Sequence, residues 1–379
     1  MCARTRHEDA DGVNVRFDRN GGRAVFVALR DLRFAKGRFA LMGAVVFLIT
    51  LLVTMLSGLT AGLARENISA VENLPADHIV FDSGEKAAFA DSRIGDQTWK
   101  DWQQVAGVTA ERLGVSMSRL AYGDEQSAGV ALFGIQPGGD LAQGEPVDTG
   151  DVVLSAALAA DTAVKTGDTV QISGKDFTVA GIGGEASYSH TPVAWISIDD
   201  WERTGRQGDA DTVATVLALR TAGAPDLAAA DARLGTTTLA LSDSPAAIGS
   251  FSSENGSLQL MRGFLFAISA LVIGAFFTVW TIQRRADVAV LKALGASSGY
   301  LLRDALAQAV IVLLAGASAG GLLGAGLGAL AEGAVPFVLS VTTTVVPVAV
   351  MILLGAAGAA LAIRKITSVD PLIALGASR

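Results

Sequence analysis

Met55, Leu59, Gly62 and Glu66 follow one another at spacings of four, three and four residues. On a helix they share one face, with a carboxylate at one end and a side-chain-free notch at Gly62 one turn below it. Such a face offers one oxygen donor above an apolar recess. A second stretch, RRADVAVLKALGAS from Arg284 to Ser297, is basic and amphipathic, with Val288 and Leu291 on one face, Lys292 beside them, and Gly295 as a helix stop. Other chemistries lack their residues. Gly174-Lys175 is followed by Asp176 and has Thr169, not glycine, five residues before Gly174, so no phosphate-cradling loop exists and the chain is no ATPase. There is no H-E-x-x-H, no Cys pair and no G-x-S-x-G on a strand-to-helix turn, and His7, His78 and His190 are scattered. Hydrolase chemistry is excluded with them.

The elements that must position these residues are set by an apolar composition: of 379 residues 51% are hydrophobic, only 17% are charged, and 43 are glycine. A hydrocarbon core about 30 Å thick needs roughly 20 apolar residues as helix. Four charge-free runs meet that need, at 39–64, 263–283, 305–331 and 345–363. None contains an internal charge, which argues against an ion-coupled carrier. The first run is too long, and too far from the start, for a cleaved signal peptide. Arg23, Arg30, Arg33, Lys36 and Arg38 precede the first run. Arg284, Arg285, Lys292 and Arg303 fall in the segment 284–304, and Arg364 and Lys365 open the segment 364–379, whereas the loop 332–344 has no Lys or Arg. The positive-inside rule then expects a multi-pass protein of the cell membrane with both termini cytoplasmic and residues 65–262 outside.

That outer segment carries 28 Asp/Glu against 13 Lys/Arg, which argues against nucleic acid as a partner. The single cysteine, Cys2, leaves the outer segment to be held by its own core. Residues 152–182 read as strand, helix, turn and hairpin, and Trp99–Gly107 and Leu227–Gly235 read as short helices. The expected fold is therefore an α-helical membrane protein of four transmembrane helices with an extracytoplasmic α+β domain inserted between the first and second. Residues 1–22 read as a disordered tail. Residues 23–38 read either as an amphipathic helix in the inner interface or as an extension of the first span. Gly316, Gly320, Gly324 and Gly328 place a glycine stripe on one face of the third span, for packing within the chain or between subunits.

The stretch QRRADVAVLKALGASSGYLLRDALAQAVIVLLAG, from Gln283 to Gly316, resembles the FtsX-type permease domain of MacB-class ABC transporters, whose pattern is a basic coupling segment ending in an L-G-A-S-like turn. VLSAALAADTAVKTGDTVQISGKDFTVAGI is similar to that family's outer-domain core. ITSVDPLIALGASR also fits, with Asp370 as a helix cap and Pro371 at the first helical position. The resemblance covers nearly all of the chain after residue 23. It implies a homodimeric permease in the lipid bilayer with no intrinsic cofactor, working with two separately encoded ATPase subunits that bind the ATP. Arg284, Arg285, Val288, Leu291, Lys292 and Leu294 would dock on those subunits and pass their motion to the outer side.

The junction GLTAGLARENISAVENLPADHIVFD, Gly58 to Asp82, resembles the haem-exporter permeases of this class, HrtB-like and DevC-like. It implies haem as cargo, and a flat macrocycle fits the face of Met55, Leu59 and Gly62. On a two-fold axis two copies of Glu66 would approach a ferric iron from opposite sides. Phe264 and Phe266 would wall the ring, and Arg65 or Arg262 would meet the propionates. His78 ranks second as iron ligand. The alternatives are a signalling permease controlling a cell-wall hydrolase, and an exporter of a lipid, peptide or antibiotic.

Overall fold

A computed structural model describes residues 36–82, 86–123, 125–138, 141, 147–331 and 333–367. The tail 1–22, nearly all of the interfacial segment 23–38, and Asp370 and Pro371 lie outside the described residues.

Four helices are long and apolar enough to cross a membrane: α1 (Lys36–Glu72), α6 (Gly249–Gln283), α8 (Ser298–Ala331) and α9 (Val341–Thr367). Three of them exceed their apolar runs on the outer side, α9 by the four residues from Val341 and the other two by more. α1 continues eight residues past Ala64 to Glu72, and α6 starts at Gly249, well before the second run opens at Gly263. The chain divides into two compact units, one of Val53–Leu265 with Gly324–Thr344 and the other of the remaining residues.

In the first unit the strands are β1 (His78–Asp82), β2 (Ile94–Gly95), β3 (Val108–Tyr122), β4 (Gln126–Ile135), β5 (Asp151–Leu154), β6 (Thr169–Ile172), β7 (Lys175–Ile182), β8 (Ser187–Tyr188), β9 (Thr191–Ser197), β10 (Thr212–Ala214), β11 (Val216–Thr221) and β12 (Thr236–Ala240). The main sheet runs β12-β1-β11-β3-β4-β9-β5-β7-β6, with β8 on β9 and a separate β10-β2 pair. β6 also pairs with β3 at Leu120 and Ile172, so six strands close on themselves. Alternation along the strands sorts the side chains. Leu132, Leu154, Val170, Phe177 and Ile196 fill one core with Trp201 of helix α4 (Ile198–Thr204). Val115, Phe133, Val153, Val193 and Trp195 point the other way and pack with Ala70, Val71 and Leu74, at and just beyond the end of α1. The sheet therefore grips the helix that carries Glu66.

The segment 152–182 folds as its sequence indicates: β5, then α3 (Ala156–Thr162) capped by the Ser155 hydroxyl, then β6 and β7. The β6–β7 turn is Ser173-Gly174, at φ 50° and 78°, the left-handed pair that a two-residue hairpin requires. Helix α5 (Leu227–Leu234) occupies the stretch 227–235 that reads as helical, whereas α2 (Asp96–Trp102) starts earlier than the expected Trp99–Gly107 and gives way to turns from Gln103.

In the second unit the glycine stripe of α8 lets α1 approach closely. A Cβ on Gly320 would stand 2.4 Å from the Phe47 carbonyl oxygen, and one on Gly316 2.9 Å from that of Gly43. At these two positions the stripe serves packing within the chain.

Candidate functional site

Glu66 does not end a helix. It sits six residues before the end of α1, where a tight turn from the sheet meets it. The β8–β9 turn is Ser189-His190, both at positive φ (51° and 61°), a geometry that costs non-glycine residues about 1 kcal/mol or more each. The turn's two amides explain why it persists: Ser189 N donates to the Asn67 carbonyl at 2.9 Å and His190 N to that of Glu66 at 3.2 Å. The side chains tie the knot further. Asn67, 1% exposed, accepts from Ser250 Oγ at 2.7 Å, and Ser250 is 2.8 Å from Ser189 Oγ. His190 Nε2 lies 2.9 Å from Glu254 Oε2 and 3.1 Å from Asn67 Nδ2. With its proton on Nε2, His190 donates to Glu254, and the Asn67 amide turns to Glu254 as well, at 3.4 Å. Its Nδ1 is 3.8 Å from Glu66 Oε2. His190 stands between two carboxylates, and among the described residues no group of three or more such ligands could hold a metal ion.

The expected site residues sort onto two sides of α1. Met55 and Leu59 are half-buried on the face that leads up to Glu66, whose side chain is 47% exposed. The notch at Gly62 is not open, contrary to expectation: a Cβ there would meet the Pro336 carbonyl oxygen at 2.0 Å, and one at Gly58 would enter the Phe337 ring. The loop before α9 fills it, tied by Val338 N to the Gly58 carbonyl at 3.1 Å. Arg65 pairs with Glu185 at 3.4 Å. Beside them opens a cavity of about 430 Å³ lined by Arg65, Glu66, Asp161, Glu185 and the loop 333–338, more acidic than basic. Arg262 lines a different cavity, of about 160 Å³, with Ser57, Thr60, Ala61 and Ala64, so the two arginines do not converge. Phe264 is 60% exposed and Phe266 is half-buried. His78 is not near Glu66; it opens β1, paired with Leu219 and Ala240.

Nothing in the spacing of Asn67, His190, Ser250 and Glu254 marks them as a group. Tyr188-Ser189-His190-Thr191 has the length of a two-residue hairpin but none of its usual residues, and Gly183-Gly184-Glu185-Ala186-Ser187 before it shows no apolar run.

At the other end, α7 (Arg285–Ala293) ends in a two-bond cap: Gly295 N donates to the Lys292 carbonyl and Ala296 N to that of Leu291, with Gly295 at φ 98°. Ser297 then caps α8, its Oγ accepting from Tyr300 N at 3.2 Å. Each residue of Leu294-Gly295-Ala296-Ser297 thus has a place in a sharp helix-to-helix turn. Leu294 is 79% exposed, and Val290 and Leu291 are exposed with it. Arg284 behaves differently from the docking residue that was expected: it donates to the fully buried Gln308 at 2.7 Å and lies over the Trp280 ring at 5.2 Å. Gln308 in turn donates to Asp304 at 3.1 Å. Arg284 braces the turn from inside. Val288 and Lys292 are half-buried.

Comparison with known proteins places residues 260–371 in the FtsX-like permease C-terminal family and residues 39–237, just over half the chain, in the MacB-like periplasmic core domain family. A putative hemin transport system permease protein HrtB of Staphylococcus haemolyticus is 27% identical over 92% of this chain and 99% of its own length. A protein of the same description from Staphylococcus epidermidis is 24% identical over 92% and 99%, and an uncharacterized ABC transporter permease of Mycobacterium tuberculosis is 25% identical over 93% and 99%. Among solved structures, the extracellular domain of the noncanonic ABC-type transporter YknZ aligns with 44% of this chain and 98% of its own, at 14% identity and TM-score 0.32.

Proposed function

The chain belongs to the FtsX/MacB-type ABC transporter permeases, and on that premise we propose that it exports haem, as a homodimer driven by two partner ATPase subunits that dock under α7 on the cytoplasmic side. The observation that carries this reading is Glu66, a half-exposed carboxylate at the top of the Met55 and Leu59 face. His190 approaches only its Oε2, and no described residue bonds its other oxygen. A carboxylate oxygen can ligate ferric iron, and a ligand weaker than His or Met suits a pump that must release its cargo. Exposed Phe264 offers an aromatic wall. The hemin-transport description of relatives spanning nearly the whole chain supports the same cargo.

Within this reading ATP hydrolysis beneath the membrane tilts α1 and α6, whose outer extensions are tied to the sheet through Asn67, His190, Ser250 and Glu254, and the cargo is squeezed from the outer end of the spans. The test is titration of the purified full chain with hemin. The native protein shifts the Soret band saturably, Glu66→Ala abolishes the shift, and His190→Ala retains it. An unchanged shift in Glu66→Ala removes the iron ligand from the proposal. A deletion strain that tolerates haem as well as its parent removes the cargo.

A further inference from the structure

The Arg262 cavity has a composition unlike the rest of the outer surface. In a segment with 28 acidic residues, it holds one guanidinium and no carboxylate. Ser57, Thr60, Thr342, Asn255 and Gln259 line it with Arg262. No described residue forms an ion pair with Arg262, whereas Arg65, on the other side of α1, is paired with Glu185. Ser57 supplies the independent sign of a missing partner: it is 2% exposed, and its Oγ has no hydrogen-bond partner among the described residues. A buried hydroxyl left unmatched in a polar recess costs free energy unless something bonds it.

We infer that this cavity is an oxyanion subsite that seats the phosphate of a phospholipid from the leaflet on the side of the α+β domain. The Thr60 hydroxyl donates to the Ser57 carbonyl and Thr342 is bonded to Ser340, so the donors left for a ligand are the unpaired guanidinium, the Ser57 hydroxyl and the Asn255 and Gln259 amides, with no competing carboxylate; that is the chemistry of phosphate recognition. Its size excludes a whole macrocycle: about 160 Å³ is below the roughly 300 Å³ at which drug-sized pockets begin, yet ample for a phosphate group. Its depth favours a lipid over a free anion. Arg262 immediately precedes the apolar run 263–283, the level at which headgroups lie. Leu260, Met261 and Phe264, which flank Arg262 on α6, are all exposed and offer apolar surface to the acyl chains. The inference is independent of which cargo the permease moves.

The test is native mass spectrometry of the purified full chain with dioctanoyl phosphatidylglycerol, glycerol 3-phosphate and inorganic phosphate as separate probes. The native chain should bind the short-chain lipid saturably, at least ten-fold more tightly than either soluble phosphate. Loss of one charge-assisted contact, in Arg262→Gln, should weaken it by about ten-fold. Ser57→Ala should weaken it by a smaller factor, and Arg262→Lys, which keeps the charge, should retain most of the affinity and guard against misfolding. Equal affinity for inorganic phosphate overturns the lipid source. Unchanged binding in both Arg262→Gln and Ser57→Ala overturns the subsite. Release of the bound lipid by stoichiometric hemin also overturns it, since the recess would then belong to the cargo.

Discussion

Replacing Gly62 by alanine tests whether the loop before α9 is part of the packed outer unit. A methyl at Gly62 would stand 2.0 Å from the Pro336 oxygen, 2.3 Å from its carbonyl carbon and 2.8 Å from Phe337 N, where ordinary contact begins at 3.4 Å. The loop must therefore retreat by roughly 1.4 Å, and because all three atoms are backbone no side-chain rotation can relieve the clash. Retreat draws Phe337 out of the hollow formed by Gly58 and Gly328, whose own Cβ positions its ring already occupies. Overpacking of this kind costs about 1–3 kcal/mol, and for a unit of this size each kcal/mol moves the midpoint by about 2–4 °C. Thermal unfolding of the purified chain, followed by loss of the monodisperse peak, should show Gly62→Ala lowered by roughly 2–12 °C. Gly263→Ala is the matched control: its Cβ meets nothing within 4 Å, and it should be neutral or slightly stabilising. Equal midpoints for the two variants would refute the packed loop and restore an open notch at Gly62.

Asn67→Ala and Ser250→Ala should each lower thermal stability, by about 1–3 kcal/mol for the buried amide, and the double variant should fall short of their sum by at least about 0.5 kcal/mol in a double-mutant cycle; strict additivity would mean that the knot is not one network. Leu294→Ser should leave the midpoint unchanged but reduce stimulation of the partner ATPase in reconstituted complexes, whereas Arg284→Ala should lower the midpoint through its lost bond to Gln308; the reverse pattern would exchange their roles. Asp77 accepts from Thr221 N and Oγ1 at 2.7 and 3.0 Å, which holds its carboxyl below the usual carboxylate range. A lowered folded-state pKa contributes stability above the unfolded value, about pH 4, that is lost as pH falls through the folded value. Asp77→Asn should therefore show a shallower acid-unfolding limb below about pH 4, and an unaltered limb would show that the two bonds contribute nothing.

The four spans and the segment 152–182 were legible because each is decided locally: by charge-free length in one case, and by Ser155, Ser173-Gly174 and period-two apolar residues in the other. The long hairpin of β3 and β4 was not. Gly114 and Gly134 interrupt its pattern, and the reason lies elsewhere in the chain: the Trp201 indole occupies the space a Cβ would take at both, so the glycines answer a contact many residues away. The outer ends of α1 and α6 are hidden in the sequence for a related reason. Arg65, Glu66 and Asn67 look like a helix end because polarity rises there, but the hydrocarbon boundary is not a helix boundary when a folded domain takes over as solvent. Ala70 and Val71 supply the apolar face that continues the helix into the sheet's core.

That continuity gives the strained turn its meaning. Ser189 and His190 hold a backbone geometry that non-glycine residues avoid, and in return two amides and two side chains meet α1 and α6 at one level. The hydrogen bonds of the knot are each worth about 1 kcal/mol net, comparable to the strain they offset, so the turn is stable only while both helices stay in place. Sliding of α1 past α6 by a few ångströms would break the bonds to one helix and leave Asn67, buried at 1% exposure, without its partners. The lower-energy alternative is for the helices and the hairpin to move together. Glu66, whose backbone carbonyl receives the His190 amide, then moves with the sheet.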